Sequence, residues 1–312
     1  MPPKRRATAS KNEEVSKPKR TKSDEVKNGL VELNEKFGYH HTAALMDFWE
    51  FAKQLSTEAP LDAFASLDNL KLVGPFRCLN GEQCENDMDY LLWDRFKSDL
   101  PEMQTIMTYK NGRFVFWRDS AEEAPLLVHV DKTESFPKVD VVGSDDPFFA
   151  VVHLMGKGES SKFLPGKTRD AYTVELKTIV NKRKKESMGR AFHGPKIKVP
   201  MRGDVGYRSV SDSPAKLKKK LETFMTTDDE TLKATLRKEL LELKSYVDFA
   251  NDEMDYGMGL EFGHDLFLAN NKVFDNLAFR VLETAYTLLK RSKYVDVLKS
   301  LRTADGARVG QD

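Results

Sequence analysis

Phe249-Ala-Asn-Asp-Glu-Met-Asp-Tyr-Gly-Met-Gly-Leu-Glu-Phe-Gly-His-Asp-Leu-Phe267 sets Asp252, Glu253 and Asp255 directly after a long amphipathic run. In that run Leu232, Leu236, Leu240, Leu243 and Val247 recur at spacings of three and four, the period of one helical face. The spacing predicts a helix over 229–250, with Asp228 able to cap its start and Gly257 and Gly259 marking its end. The carboxylates then fall in or just past the last turn, where the helix dipole is negative and each should lose a few tenths to about 1 kcal/mol. Places where local rules fail are enriched in functional sites. Crowding by like charge and by a helix C-terminus makes a carboxyl hold its proton more tightly, so one reading is a base tuned toward neutral pH. The alternative is a solvated acidic turn in which the glycines only let the chain change direction.

Around this stretch the second half of the chain reads as mainly helical. Helices are expected over 170–185, 215–225 and 272–291, the last with Phe274, Leu277, Val281, Ala285 and Leu288 inward. The first of them ends in Lys182-Arg-Lys-Lys185, which complements the dipole and reads as a solvated helix end. Between them, 188–214 is rich in Gly and Pro yet carries aromatic and apolar residues, the composition of an ordered functional loop.

The first half is mixed. Helices are predicted over 24–37 and 41–55, the second with Leu45, Phe48, Ala52 and Leu55 on one face and Trp49 beside it. A short strand over 71–75 precedes two longer ones, 103–109 and 113–118, which flank Asn111-Gly112, a hairpin turn signal. Strands over 126–130 and 139–142 follow, and Asp146-Pro147 opens a helix. The economical arrangement is an antiparallel meander with helices on one face, with Phe48, Phe114 and Phe116 in its core. The fold class expected is α+β: a basic arm over 1–26, an N-terminal mixed domain over 27–160, a C-terminal helical domain over 161–302 and a tail over 303–312.

Composition narrows the function. The hydrophobic content of 40% supports packed cores, and no run approaches the roughly 18 apolar residues a membrane span needs, so a soluble, unsecreted protein is expected. Cys78 and Cys84 cannot form a disulfide framework, and no Cys or His pair has zinc-finger spacing. The net charge is +1, but residues 1–22 hold eight Lys/Arg against Glu13 and Glu14, so the arm carries +6 and the rest −5. Without aromatics the arm cannot bury a core and is expected to be disordered. Its clusters Lys4-Arg-Arg6 and Lys17-Pro-Lys-Arg20 read as a nuclear address, because a mildly acidic body offers no broad face to continue a contact with DNA.

Three further features could carry chemistry. Pro165-Gly-Lys-Thr168 opens a helix in the manner of a phosphate-binding loop, but that motif needs glycine where Ser161 stands. His193 and His264 could act as bases or ligands beside the carboxylates, or be hydrogen-bonded structural residues. Asp252, Glu253, Asp255 and Asp265 could gather a divalent cation, although their spacing is not that of an EF-hand; no metal is expected.

Taken together, Phe192-His-Gly194, Asp204-Val-Gly-Tyr-Arg208 and the acidic stretch 249–261 resemble the signature of the histone PARylation factor family, and Phe148-Phe-Ala-Val151 and Leu288-Leu-Lys-Arg291 agree with it. The resemblance covers everything after the basic arm. It implies an accessory protein that docks on DNA-damage-activated poly(ADP-ribose) polymerases in the nucleus, on chromatin, and redirects ADP-ribosylation to serines of histones. It implies that Glu253 completes a joint active site, that Tyr207 and Arg208 lie at the polymerase interface and that Asp252 contacts it; His193, Asp204 and Asp255 are supporting candidates. No cofactor is expected on this chain alone, since NAD is held by the polymerase; a monomer when free, with no direct DNA contact, is the accompanying expectation. The cysteine count rules out the zinc finger that some relatives carry in the arm and use to bind poly(ADP-ribose). A serine hydroxyl is a poor nucleophile at neutral pH, so switching the acceptor to serine calls for an added base, worth about 10²- to 10⁴-fold. A non-catalytic adaptor, and a stand-alone ADP-ribosyl hydrolase using Glu253 and His193, are the alternatives.

Overall fold

The computed structural model describes residues 22–85, 90–155, 163–210, 213–303 and 309–310, with side chains from residue 27 onward. Most of the basic arm, and most of the tail expected over 303–312, therefore lie outside the described residues.

Strands β1 (Lys71–Leu72), β2 (Met103–Tyr109), β3 (Gly112–Trp117), β4 (Leu126–Asp131) and β5 (Val139–Gly143) pair in chain order, each antiparallel to the next. The meander follows from its turns: Tyr109 pairs with Gly112 across Lys110-Asn111, and Trp117 with Leu126 across the next connection. Before and around the sheet run α1 (Lys22–Phe37), α2 (Ala43–Leu55), α3 (Pro75–Leu79), α4 (Phe148–Leu154) and α5 (Arg169–Glu186). The aromatic core forms where they meet. Phe48 stacks on Phe64 at 5.0 Å and takes Phe148 edge-on at 4.7 Å, and Phe48, Phe114 and Phe116 are all buried as expected. Side chains of this size each contribute roughly 1.5–3 kcal/mol by leaving water.

The C-terminal part comprises α6 (Pro214–Thr226), α7 (Glu230–Asp252), α8 (Tyr256–Leu268), α9 (Lys272–Leu288) and α10 (Ser292–Ser300). Three expectations are corrected here. Gly257 and Gly259 do not end a helix: they sit in the first turns of α8, which is buried from Gly257 to Leu268 between α7 and α9. Glycine lets the neighbours close in, for a Cβ on Gly263 would stand 2.5 Å from Leu282 Cδ2. The helix expected over 272–291 is present as α9 but stops at Leu288, where the chain turns through a left-handed Lys290, φ 59°, into α10, which sequence reading did not foresee. The cap of α7 is Asp229 and not Asp228; its carboxylate accepts from the Thr231 and Leu232 amides at 2.9 and 3.1 Å.

A buried polar seam fixes the sheet against the helices. Glu102, just before β2, accepts from Tyr286 Oη at 2.7 Å and faces His264 Nε2 at 3.0 Å. Burial pushes the Glu102 carboxyl up, but His264, Arg291 and the Tyr286 hydroxyl together hold it below the usual range. Tyr294 donates to the Arg118 carbonyl at 2.7 Å, and the Phe136 amide to that of Leu268 at 2.7 Å. Arg183 is not part of a solvated helix end: it is buried, its guanidinium held by Asp119 and by the carbonyls of Pro195 and Lys196 at 2.6 and 3.0 Å. It ties α5 and the following loop to the end of β3. No helix of the described residues is long and apolar enough to cross a membrane.

Candidate functional site

The acidic turn is built by the way α7 stops. Met254 N–H reaches the Asn251 carbonyl at 3.0 Å and Asp255 N–H the Ala250 carbonyl at 2.7 Å, a wrap that satisfies the last carbonyls of the helix. Glycine usually takes the left-handed position of such a wrap, because a Cβ there costs about 1–2 kcal/mol. Met254 takes it here, φ 68° and half exposed. The chain thus reverses within Glu253-Met-Asp255, and α8 starts at once. Glu253 is left on the rim and Asp255 beneath it, their side chains 58% and 9% exposed.

The Gly/Pro-rich segment is stitched to this corner. Asp255 Oδ1 accepts from Gly206 N at 2.8 Å, and Gly257 N–H donates to the Gly206 carbonyl at 2.9 Å. The approach requires glycine on both sides. Gly206 has φ 133°, and a Cβ on Gly257 would stand 2.9 Å from Tyr207 Cδ2 and 3.0 Å from the Gly206 oxygen. Tyr207 then turns inward and donates to Glu261 Oε2 at 2.7 Å, while Arg190 N–H occupies Glu261 Oε1 at 2.6 Å. Burial, and then the bond to Glu261, push the Tyr207 hydroxyl pKa up; burial pushes the Glu261 carboxyl up against the pull of its two donors. Arg208 projects the other way, into solvent, where Nη2 contacts Glu253 Oε2 and lies 3.1 Å from Asp255 Oδ2.

The structure therefore brings Glu253, Asp255, Tyr207 and Arg208 to one corner. Asp252 ends α7 exposed beside them, and Asp204 is exposed at the tip of the Arg202–Val205 bridge in the same loop. His193 is elsewhere, buried against Trp117, with Nε2 3.1 Å from His264 Nδ1 and onward to Glu102. That chain is part of the seam between sheet and helices. Asp265 lies ten residues along α8 from Asp255, roughly 15 Å, and accepts from Phe192 N at 2.9 Å, so the four carboxylates do not converge.

Sequence reading missed Glu261, which looks like one more acid of the motif but is the buried anchor of Tyr207. It also missed the apolar rim: Phe249 is 61% exposed, Met254 51%, Met201 42% and Val205 37%. Phe249 falls off the Leu236/Leu240/Leu243/Val247 stripe, which is the signal that could have found it. A cavity of about 340 Å³ opens beside the turn, walled by Val205, Met254, Tyr256 and Lys290. Chemically the corner offers an exposed carboxylate oriented by a guanidinium, on a rim able to bury against another molecule.

Comparison with known proteins agrees with the motifs that form this corner. The family model described as histone PARylation factor 1 matches residues 30–303. The histone PARylation factor 1 of Mus musculus is 32% identical over 93% of this chain and 90% of its own length. Those of Bos taurus and Danio rerio are 31% and 28% identical, over 81% and 94% of this chain and 80% and 91% of their own lengths. The match runs through the sheet, the stitched loop and the acidic turn alike, and the chain belongs to the histone PARylation factor 1 family.

Proposed function

We propose that this chain docks on a DNA-damage-activated poly(ADP-ribose) polymerase and supplies Glu253 to a shared active site that ADP-ribosylates serines of histones. The observation that carries the reading is the placement of Glu253. It is an exposed carboxylate held by Arg208, at the edge of a turn rimmed by Phe249, Met254, Met201 and Val205. A base that completes its site only when a second protein covers it would have this setting.

In the shared site the polymerase holds NAD. The serine Oγ attacks the anomeric carbon of the nicotinamide ribose, the glycosidic bond to nicotinamide breaks, and nicotinamide departs with that electron pair. Glu253 takes the serine proton as the new C–O bond forms, acting only at the step where the hydroxyl needs it. Arg208 fixes the carboxylate, and Asp255 fixes both Arg208 and the loop that carries it. Asp252 and the apolar rim contact the polymerase. The basic clusters of the arm serve as the nuclear address.

The test is a reaction containing polymerase, nicked DNA, NAD and a serine-containing histone peptide. Serine modification that appears only on adding this chain supports the proposal. Modification confined to acidic residues, with or without it, contradicts it.

A further inference from the structure

At the tip of the β2–β3 hairpin lies a groove of about 410 Å³ that shares no lining residue with the cavity beside Met254. Its walls come from Phe96–Ser98, the hairpin tip, the start of the β4–β5 connection and Asn270. Its floor is Arg113, a charged side chain only 5% exposed. The guanidinium lies 4.4 Å over the Phe96 ring; Nε and Nη2 donate to Asp99 Oδ1 at 3.0 and 2.7 Å, and Nη2 also to Ser98 Oγ at 2.9 Å. Among the described residues Nη1 has no acceptor, although Arg113 lines the groove. Ser98, 6% exposed, accepts from Arg113, so its own hydroxyl proton is left to donate, also without an acceptor among the described residues. Arg113 is thus held rigidly by Asp99 and Ser98, and the donor capacity left over faces the groove, where an acceptor-rich ligand can take the place of water.

Charge points the same way. Lys110 and Lys132 stand exposed on the rim and form no ion pair with described residues. Asp99 balances Arg113, and Glu134 on the rim offsets one lysine at most, so the groove keeps a positive balance. Donors approach from the floor and from two sides. A carboxylate has two oxygens in one plane, whereas a tetrahedral phosphate presents acceptors in all three directions. The volume fits a nucleotide rather than a bare ion, lying within the 300–1,000 Å³ typical of small-molecule sites.

We propose that this groove binds a phosphate-bearing nucleotide, with a phosphate on Arg113 Nη1 and the Ser98 hydroxyl and flanked by Lys110 and Lys132. The site is independent of the reading of Glu253. The chemistry is shared by free nucleotides and by ADP-ribosyl groups. Calorimetry of the full chain at low salt, with ADP, ADP-ribose and inorganic phosphate as separate probes, distinguishes them. Saturable 1:1 binding of ADP, weakened tenfold or more in the Lys110→Glu/Lys132→Glu double variant with an unchanged melting curve, is expected. Arg113→Lys, if folded by the same criterion, should weaken it similarly. ADP-ribose tighter than ADP by tenfold assigns the groove to ADP-ribosyl groups, and equal affinity assigns it to nucleotides in general. Three results overturn the proposal: no saturable binding of either nucleotide, inorganic phosphate binding as tightly as ADP, or affinity unchanged in the double variant.

Discussion

Arg208 Nη2 contacts the carboxylates of both Glu253 and Asp255, one on the surface and one buried under the loop. A single guanidinium thus couples the candidate base to the hydrogen bond, Gly206 N to Asp255, that holds the loop in place. Losing any of the three should act differently on the protein, which makes the arrangement separable by mutation.

Arg208→Ala removes an exposed group, so the fold should survive with an unchanged denaturation curve. Its loss from a partner interface should be felt strongly, because arginines at interface centres are frequent hot spots. Titration against the polymerase catalytic domain is expected to show affinity lower by about tenfold or more. Unchanged affinity would refute the interface role.

Asp255→Ala should cost stability instead. It leaves the Gly206 amide without its acceptor, a loss of about 1–3 kcal/mol. Urea denaturation measures this, and hydrogen exchange should show faster exchange confined to residues 200–208. Exchange spread evenly over the chain would contradict the local role.

The glycines of α8 separate two effects. Gly263→Ala would drive a Cβ into Leu282, which is fully buried, and overpacking of this kind costs about 1–3 kcal/mol. Gly257→Ala meets Tyr207 and the Gly206 carbonyl and should dislodge the loop. Polymerase docking is predicted to fall more for Gly257→Ala than for Gly263→Ala, with global stability ranked in the opposite order. Paired calorimetry and melting of the two variants check the crossover.

Stability should drop on mild acidification. His41 and His193 are buried and their pKa values pushed well below the ordinary range, chiefly by burial, then by the Arg118 charge for His41 and by His264 for His193. His129 is lowered to about 4 by burial and by His153. Below pH of about 6.5 the unfolded chain binds protons that the folded chain refuses, so stability is full above that pH and is lost as pH falls. Each fully buried histidine contributes a slope of about 1.4 kcal/mol per pH unit, and the half-buried His129 less. Burial pushes the Asp265 and Glu261 carboxyls up, which works in the opposite direction, so urea unfolding at pH 5 should give a free energy below that at pH 7 by less than the histidines alone would, roughly 1–3 kcal/mol. Equal values would contradict the buried neutral assignment.

What could be seen in the sequence follows from which signals are local. The β2–β3 hairpin was readable from its two flanking strands, although its turn falls on Lys110-Asn111 and Gly112 already belongs to β3, and α7 was readable because one face is wet and the other dry. α8 was invisible for the converse reason. Every residue from Gly257 to Leu268 is buried, so no polar face exists to set a period, and glycines that look like a helix end serve close packing. The site was legible as a set of residues through the family motifs, while its wiring was not. That Tyr207 points inward to Glu261 and Arg208 outward to Glu253 depends on contacts 54 and 45 residues apart in the chain. His193 shows the limit from the other side: it lies in a motif of the resemblance, but its ring belongs to the buried seam with His264 and Glu102.

The most direct measurement is the rate of serine ADP-ribosylation of a histone peptide by a DNA-activated polymerase with wild-type chain or with Glu253→Gln, alongside polymerase affinity for both. The glutamine keeps the shape and cannot take a proton. Docking within about threefold of wild type with serine modification reduced by 10²-fold or more is the result predicted for a general base. Equal rates would contradict it and leave the acidic turn as a docking surface alone.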